Sequence, residues 1–278
     1  MKKAIKQLSS GLIGISMLSG AAQAATFAIQ GSDTLAGAVT DAIIQGGLDG
    51  SLKYLGGGSG KGEAAVLAKT QGIAPMSRSF ADSAKSKASS AGIQLVEHII
   101  GLDAVSLFVN SSNGVAKLDL ETVKKIYSCE ITNWSALGAG ASGAIVAYRR
   151  NDESGTTDTF KSLVGIKSFG ACVKVLAETA DIAAKTSSEA GAVGYAGLDA
   201  KRNQNRIVPL AKDASSQAFE PSVANVRSFK YPLARNLYVY EAKGSIQPTA
   251  AENELLELML DPSFMNPILL DHSFITLK

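Results

Sequence analysis

Cysteine and histidine are scarce in this chain: Cys129 and Cys172 are its only thiols, and His98 and His272 its only imidazoles. So few soft ligands argue against a Cys/His zinc cluster, and the wide cysteine spacing excludes a CxxC redox motif. Long apolar runs are missing too; no segment is apolar for long enough to span a bilayer. The familiar phosphate and nucleophile loops fail by position. A nucleotide-hydrolase loop ending in Gly60-Lys61 needs glycine at 55 and a hydroxyl at 62, where Leu55 and Gly62 stand. A nucleophile elbow around Ser59 needs glycine at 61, where Lys61 stands. There is no internal repeat and no low-complexity tail.

What is present starts with an export signal. Lys2, Lys3 and Lys6 precede the short apolar core Gly11–Leu18, and Ala22-Gln23-Ala24 offers the small residues a signal peptidase reads. Cleavage after Ala24, with no cysteine there for a lipid, predicts a periplasmic mature protein starting at Ala25. Three of the 27 basic residues and none of the 25 acidic ones lie in that leader, so the mature chain carries a net charge of about −1. Near-neutrality argues against nucleic acid or an anionic membrane as the main partner. In an oxidising compartment, an even cysteine count predicts a Cys129–Cys172 disulfide.

Apolar alternation predicts strands over 26–30, 51–55, 73–76, 94–100, 104–110, 144–148, 192–196 and 236–240. Helical spacing predicts helices over 35–44, 63–70, 81–91, 120–127, 168–178, 181–188, 249–260 and 265–270, with another after Thr156. Residues 201–206 read as solvated, 226–234 as a linker containing Pro232, and Trp134 as a packing residue. Strand, small polar turn and helix recur three times in the first part, the pattern of α/β layers with a mainly parallel sheet. About 250 residues make one large domain or two lobes of about 100 each.

Three of the strand-to-helix turns share one chemistry: Ser32-Asp33-Thr34, Gly58-Ser59-Gly60 and Ser154-Gly155-Thr156. Free amides at a helix start and the positive end of its dipole suit an oxyanion, and Arg150 adds a planar two-pronged donor. Each turn alone can equally be a capped or tight turn. In open α/β sheets, however, such turns converge at the carboxyl ends of strands, where ligands sit.

Seven segments in order carry a family resemblance: 31–34, 54–62, 76–78, 131–134, 149–157, 191–195 and 231–235. Together they resemble the phosphate-binding protein of bacterial phosphate ABC importers, the Pst-type family of periplasmic solute-binding proteins. The resemblance implies a two-lobed, type II-like α/β fold, each lobe a mixed, mainly parallel sheet flanked by helices, joined by crossover strands. Residues 25–109 with 235–278 would form lobe I and 110–234 lobe II. It implies inorganic phosphate held by Thr34, the Leu35 amide and Ser59 from the first lobe, and by Arg150, Ser154, Gly155 and Thr156 from the second. Asp152 would orient Arg150 through an ion pair, with Arg78 and Thr157 in supporting positions. One departure stands out: many relatives carry aspartate where this chain has Ser77, a carboxylate that accepts phosphate's proton and rejects sulfate. Asp33 is the expected substitute. The implied partner is a membrane permease, with no cofactor, no nucleic acid and a monomeric chain.

Three other readings are open. The same fold could hold sulfate, molybdate or arsenate. A secreted phosphatase-like enzyme could use Ser154 or Ser59 as nucleophile, against which stand the missing histidine partner, metal cluster and elbow. An exported scaffold or adhesin could have kept the fold without the ligand.

Overall fold

A computed structural model describes residues 26–138, 143–152 and 154–278; the leader expected over 1–24 lies outside the described residues. The chain opens with β1 (Phe27–Gly31), α1 (Ala36–Gln45), β2 (Leu52–Gly57), α2 (Ser59–Leu67), β3 (Ile73–Met76), α3 (Asp82–Ser90) and β4 (Ile93–Ala104). The turn-and-helix pattern follows from local spacing: Val39, Ala42 and Ile43 of α1 form one buried stripe, joined by Leu35 just before it. β1 and β2 pair in parallel from Phe27 opposite Leu52 onward, as the repeated strand–turn–helix order predicts.

Next come β5 (Ser106–Asn110), β6 (Leu118–Asp119), α4 (Leu120–Tyr127), β7 (Val146–Arg150), α5 (Gly155–Val164), β8 (Lys174–Leu176) and α6 (Thr179–Ser188). They are followed by β9 (Ala192–Ala196), β10 (Asn205–Ile207), β11 (Leu210–Ala211) and α7 (Val223–Arg227). This part forms a five-stranded sheet of order β10-β5-β9-β7-β8, with β7 parallel to both neighbours, and a small parallel pair of β6 and β11.

The chain then returns through β12 (Ala234–Gly244), which inserts antiparallel between β3 and β4, and closes with α8 (Ala250–Leu260) and α9 (Pro262–Asp271). The result is a two-lobed α/β protein. Its five-stranded sheet is mixed, whereas β3, β12 and β4 pair antiparallel and β1 and β2 pair in parallel. A capping box holds the start of α8: Thr249 and Glu252 exchange backbone bonds, and the buried Glu252 also accepts the Gly72 amide at 2.7 Å.

The two crossovers run side by side. β4 passes into β5 through Val105, whose amide donates to Leu233 O at 3.1 Å, and Ala104 pairs with Ala234 in the ladder. The Tyr231 hydroxyl donates to Val105 O at 2.9 Å, so both connections are fixed to one another. In the second lobe's core, Phe160 and Tyr195 stack with centroids 3.9 Å apart, a contact contributing about 0.5–1.5 kcal/mol beyond burial. Trp134 is buried there, and its Nε1 donates to Gly191 O. It packs, as expected.

Three expectations differ. Residues 168–178 form no helix; they carry a loop and the edge strand β8, because Gly170 lies directly against Cys129 and its amide is held by Tyr127 O. Residues 201–206 are not wholly solvated, since Asn205 is buried and its amide group donates to Ala200 O and Thr186 Oγ1. Residues 226–234 are more than a linker: Val226, Tyr231 and Leu233 are buried, and α7 precedes them.

Cys129 and Cys172 form the expected disulfide, with Cα atoms 6.0 Å apart, closing a loop between positions separated by 43 residues. Chain-entropy arguments put such a closure at about 4 kcal/mol. Replacing both cysteines by serine should therefore lower the unfolding free energy by up to that amount in urea melts. A change indistinguishable from zero would show that the unfolded chain gains no freedom from the loss.

Candidate functional site

The candidate site lies between the lobes, where α5 of the second lobe abuts the Asp33–Leu35 turn of the first. Two cavities open there. The smaller, about 360 Å³, is lined by Asp33, Thr34, Arg150, Ser154 and Thr156, with the crossover residues Asp103 to Val105 behind them. Five of the residues expected from sequence, drawn from both lobes, thus share one cavity. Ser59, Ser77 and Arg78 line the larger cavity, about 1030 Å³, together with Asp158 and Arg235.

None of the three hydroxyl-rich helix starts caps itself with a side chain. Ser154 accepts the Thr157 and Asp158 amides through its backbone carbonyl, and among the described residues its hydroxyl and the first amides of α5, at Gly155 and Thr156, have no partner. In the first lobe, Ser32 Oγ donates to Ser77 Oγ at 2.7 Å and Ser59 Oγ lies 3.3 Å from the same oxygen. Ser77 therefore closes a buried hydroxyl chain and adds no charge. Asp33 Oδ1 accepts the Gly57 amide at 2.6 Å. A Cβ on Gly58, whose φ of +92° already calls for glycine, would lie 3.7 Å from Asp158 Oδ2 and 3.8 Å from Asp33 Oδ2. Carboxylates from both lobes flank that glycine.

Not every expected contact forms. Asp152 pairs with Arg149, at 2.8 and 3.1 Å, and not with Arg150. Neighbouring residues of a strand point to opposite faces, so Arg149 turns to Asp152 and the Phe169 ring while Arg150 turns to the cleft. There Arg150 Nε donates to Ala177 O and Nη1 to Thr179 Oγ1, both at 2.8 Å, with Glu178 at 3.7 Å. The Leu35 amide is engaged by Ser32 O at 3.1 Å, closing the turn. Thr157 points into the second lobe, 2.7 Å from the Tyr195 hydroxyl. Arg78 is held by Glu63 and by Ser79 O.

The structure adds Arg235 and Asp103. Arg235 is buried, binds Asp103 Oδ2 through Nε and Nη2, and donates to Thr34 Oγ1 at 2.9 Å and Ser77 O at 3.1 Å. With its oxygen accepting from Arg235, the Thr34 hydroxyl keeps its proton for a ligand. The only sequence signal was Arg235's place at the end of the 231–235 segment.

Burial lowers the Arg235 pKa, opposed by the charges of Asp103 and then Asp158. Burial, and then the charge of Asp33, raises the Tyr54 phenol, whose hydroxyl donates to Ser32 O at 2.9 Å. The Asp158 carboxyl is raised chiefly by desolvation in the cleft, against the lowering effect of Lys161. Among the described residues, no three His, Cys, Asp or Glu side chains converge as metal ligands. His272 reaches the smaller cavity with its Nε2 bound to Asp41, and no hydrogen bond joins it to Ser154.

Fold and cleft together define a two-lobed binding protein with its candidate site between the lobes. The chain belongs to the PBP superfamily: the profile of the PBP superfamily domain matches residues 19–262. Among curated proteins it is similar to the phosphate-binding protein PstS of Pseudomonas aeruginosa, 26% identical over 235 residues, covering 80% of this chain and 73% of that protein. Among solved structures it is similar in fold to an ABC-type phosphate transport receptor from Vibrio cholerae, with a TM-score of 0.76 at 21% identity, covering 90% and 99% of the two chains. A shorter match, 32% identical over 131 residues, covers 40% of this chain and 33% of alkaline phosphatase L from Pseudomonas aeruginosa.

Proposed function

We propose that this chain, exported to the periplasm, captures inorganic phosphate between its lobes and delivers it as a monomer to the membrane permease of an ABC importer. The observation that carries this reading is the smaller cavity. Arg150 and the hydroxyl-bearing Thr34, Ser154 and Thr156 line a single cavity of about 360 Å³ beside helix starts that lack side-chain caps. Such directed donors suit a tetrahedral oxyanion. The amides of Gly155 and Thr156 complete the set, a small rotation of the Asp33–Leu35 turn would release the Leu35 amide to it, and Ser59, which lines the larger cavity, would join it as the lobes close. Lobe boundaries at the crossovers, near 105 and 233, fit this work, because β5 belongs to the second sheet. Binding needs no chemistry; ligand stabilises the closed arrangement of the lobes.

Asp33 supports the choice of phosphate over sulfate. Its Oδ1 is committed to Gly57 and the residue lines the smaller cavity, where Oδ2 would accept a proton that phosphate has and sulfate lacks. A carboxylate beside proton-free sulfate costs several kcal/mol with no hydrogen bond to offset it. Calorimetry of the mature protein with phosphate, sulfate and arsenate tests the whole reading, alongside an assay for aryl phosphate turnover. Tight, sulfate-resistant phosphate binding without turnover is expected. In Asp33→Ala the preference for phosphate should fall by roughly tenfold or more. An unchanged preference would remove Asp33 from the role, and no anion binding at all would leave a scaffold.

A further inference from the structure

Asp158 lies in the first turn of α5, between the buried Thr157 and Thr159, yet is itself exposed in the larger cavity. Among the described residues its carboxylate has no hydrogen bond and no ion pair. Lys161, three positions further along the helix, lies over the Phe169 ring at 5.9 Å instead. Burial is the largest influence on the Asp158 carboxyl and raises it; Lys161 comes next and lowers it. Asp33, Arg235 and Arg78 follow, the first raising it and the two arginines lowering it, and all three belong to the first lobe. Its Oδ2 also lies 3.7 Å from where a Cβ on Gly58 would stand, at the start of α2.

Arg78 approaches that helix start from its own lobe. Its Nη2 lies 3.9 Å from where a Cβ on Gly60 would stand. Nη1 is taken by Glu63 and Ser79 O, whereas Nη2 has no partner among the described residues. Arg235, the other guanidinium lining this cavity, is already engaged by Asp103, Thr34 and the Ser77 carbonyl. An unpaired carboxylate of one lobe and half a guanidinium of the other thus approach one turn, across a cavity of about 1030 Å³.

We infer that Asp158 is a positioning residue for phosphate capture: as the lobes close, it pairs with Arg78 Nη2 and holds them shut over the anion. The inference rests on the phosphate site proposed above. Neither group lines the smaller cavity, so the pair leaves the donors there untouched. Closure drives water from the larger cavity, and an ion pair strengthens as its surroundings lose water. Asp158 is already partly desolvated, so pairing adds attraction with less further loss of hydration. A contact made only in the closed state stabilises that state alone and shifts the population toward it.

The sign of one substitution separates this role from simple charge. An unpaired carboxylate in an anion-binding cleft repels the ligand, so its removal would tighten binding. With the latch, Asp158→Asn should instead weaken phosphate binding about fivefold in calorimetry of the mature protein. Stopped-flow should place that loss in a faster off-rate, with the on-rate within about twofold of wild type. Arg78→Gln also loosens Glu63, so the decisive comparison is the double variant. It should bind no more than about twofold worse than Arg78→Gln, because both changes remove one contact. Asp158→Arg combined with Arg78→Asp should recover most of the affinity. Unchanged or tighter binding in Asp158→Asn, or losses that add in the double variant, overturn the latch and leave the phosphate reading standing. A wild type that does not bind phosphate removes both.

Discussion

Arg150→Ala is expected to weaken phosphate binding by a hundredfold or more and to leave the fold intact. Arg150 is the one guanidinium lining the smaller cavity, and its own lobe orients it through Ala177 O and Thr179 Oγ1. Hydrogen bonds to charged groups contribute about 1.5–3 kcal/mol each, so losing a two-pronged contact to a dianion accounts for that factor. The fold should tolerate the change because α6 keeps its start without Arg150: Glu178 and Asp181 form a capping box there. Calorimetry reads the affinity and circular dichroism the fold. Arg150→Lys separates charge from geometry and should recover only part of the affinity, since an ammonium lacks the fork. Wild-type affinity in the alanine variant would refute the proposed site.

Removing Arg235 should act on stability first. Arg235 stands directly opposite Asp103 in the β4–β12 ladder, at the point where both crossovers leave the first sheet. Taking away one member of a buried ion pair leaves an uncompensated charge, at a cost of about 3–5 kcal/mol. Arg235→Ala should therefore lose that much in urea unfolding, and its phosphate affinity should fall as well, because Thr34 loses the donor that sets its hydroxyl. The combination Arg235→Met with Asp103→Leu separates the two effects. It should regain most of the stability, since no buried charge remains, while binding stays weak. Unfolding within about 1 kcal/mol of wild type in Arg235→Ala would show that water reaches Asp103 and that the pair is not a structural tie.

Part of the site was legible because it is local. The turns at Ser32, Ser59 and Ser154 each join a strand to a helix within a few residues, and α1, α2 and α5 begin there. The roles of neighbouring side chains were less legible. Asp152 lies close to both arginines in sequence, and only the facing of β7 gives it to Arg149. Residues 168–178 have helical spacing, yet the disulfide and the packing of Gly170 outweigh a weak propensity.

By itself, the sequence determined the α/β alternation, the hydroxyl-rich helix starts and the cysteine pair. Periods of 2 and 3.6 residues and helix-start chemistry act over a few positions, so they can be read without knowing what lies across the sheet. Tertiary structure alone decided that Arg235 meets Asp103, 132 residues away, and Thr34, 201 residues away. It also decided that Ser77 joins a hydroxyl chain and that Phe229 faces a second cavity. Those contacts depend on where β12 re-enters the first sheet and in what register. A strand slipped by one residue would turn Arg235 to the opposite face, and nothing in its immediate neighbours opposes that slip.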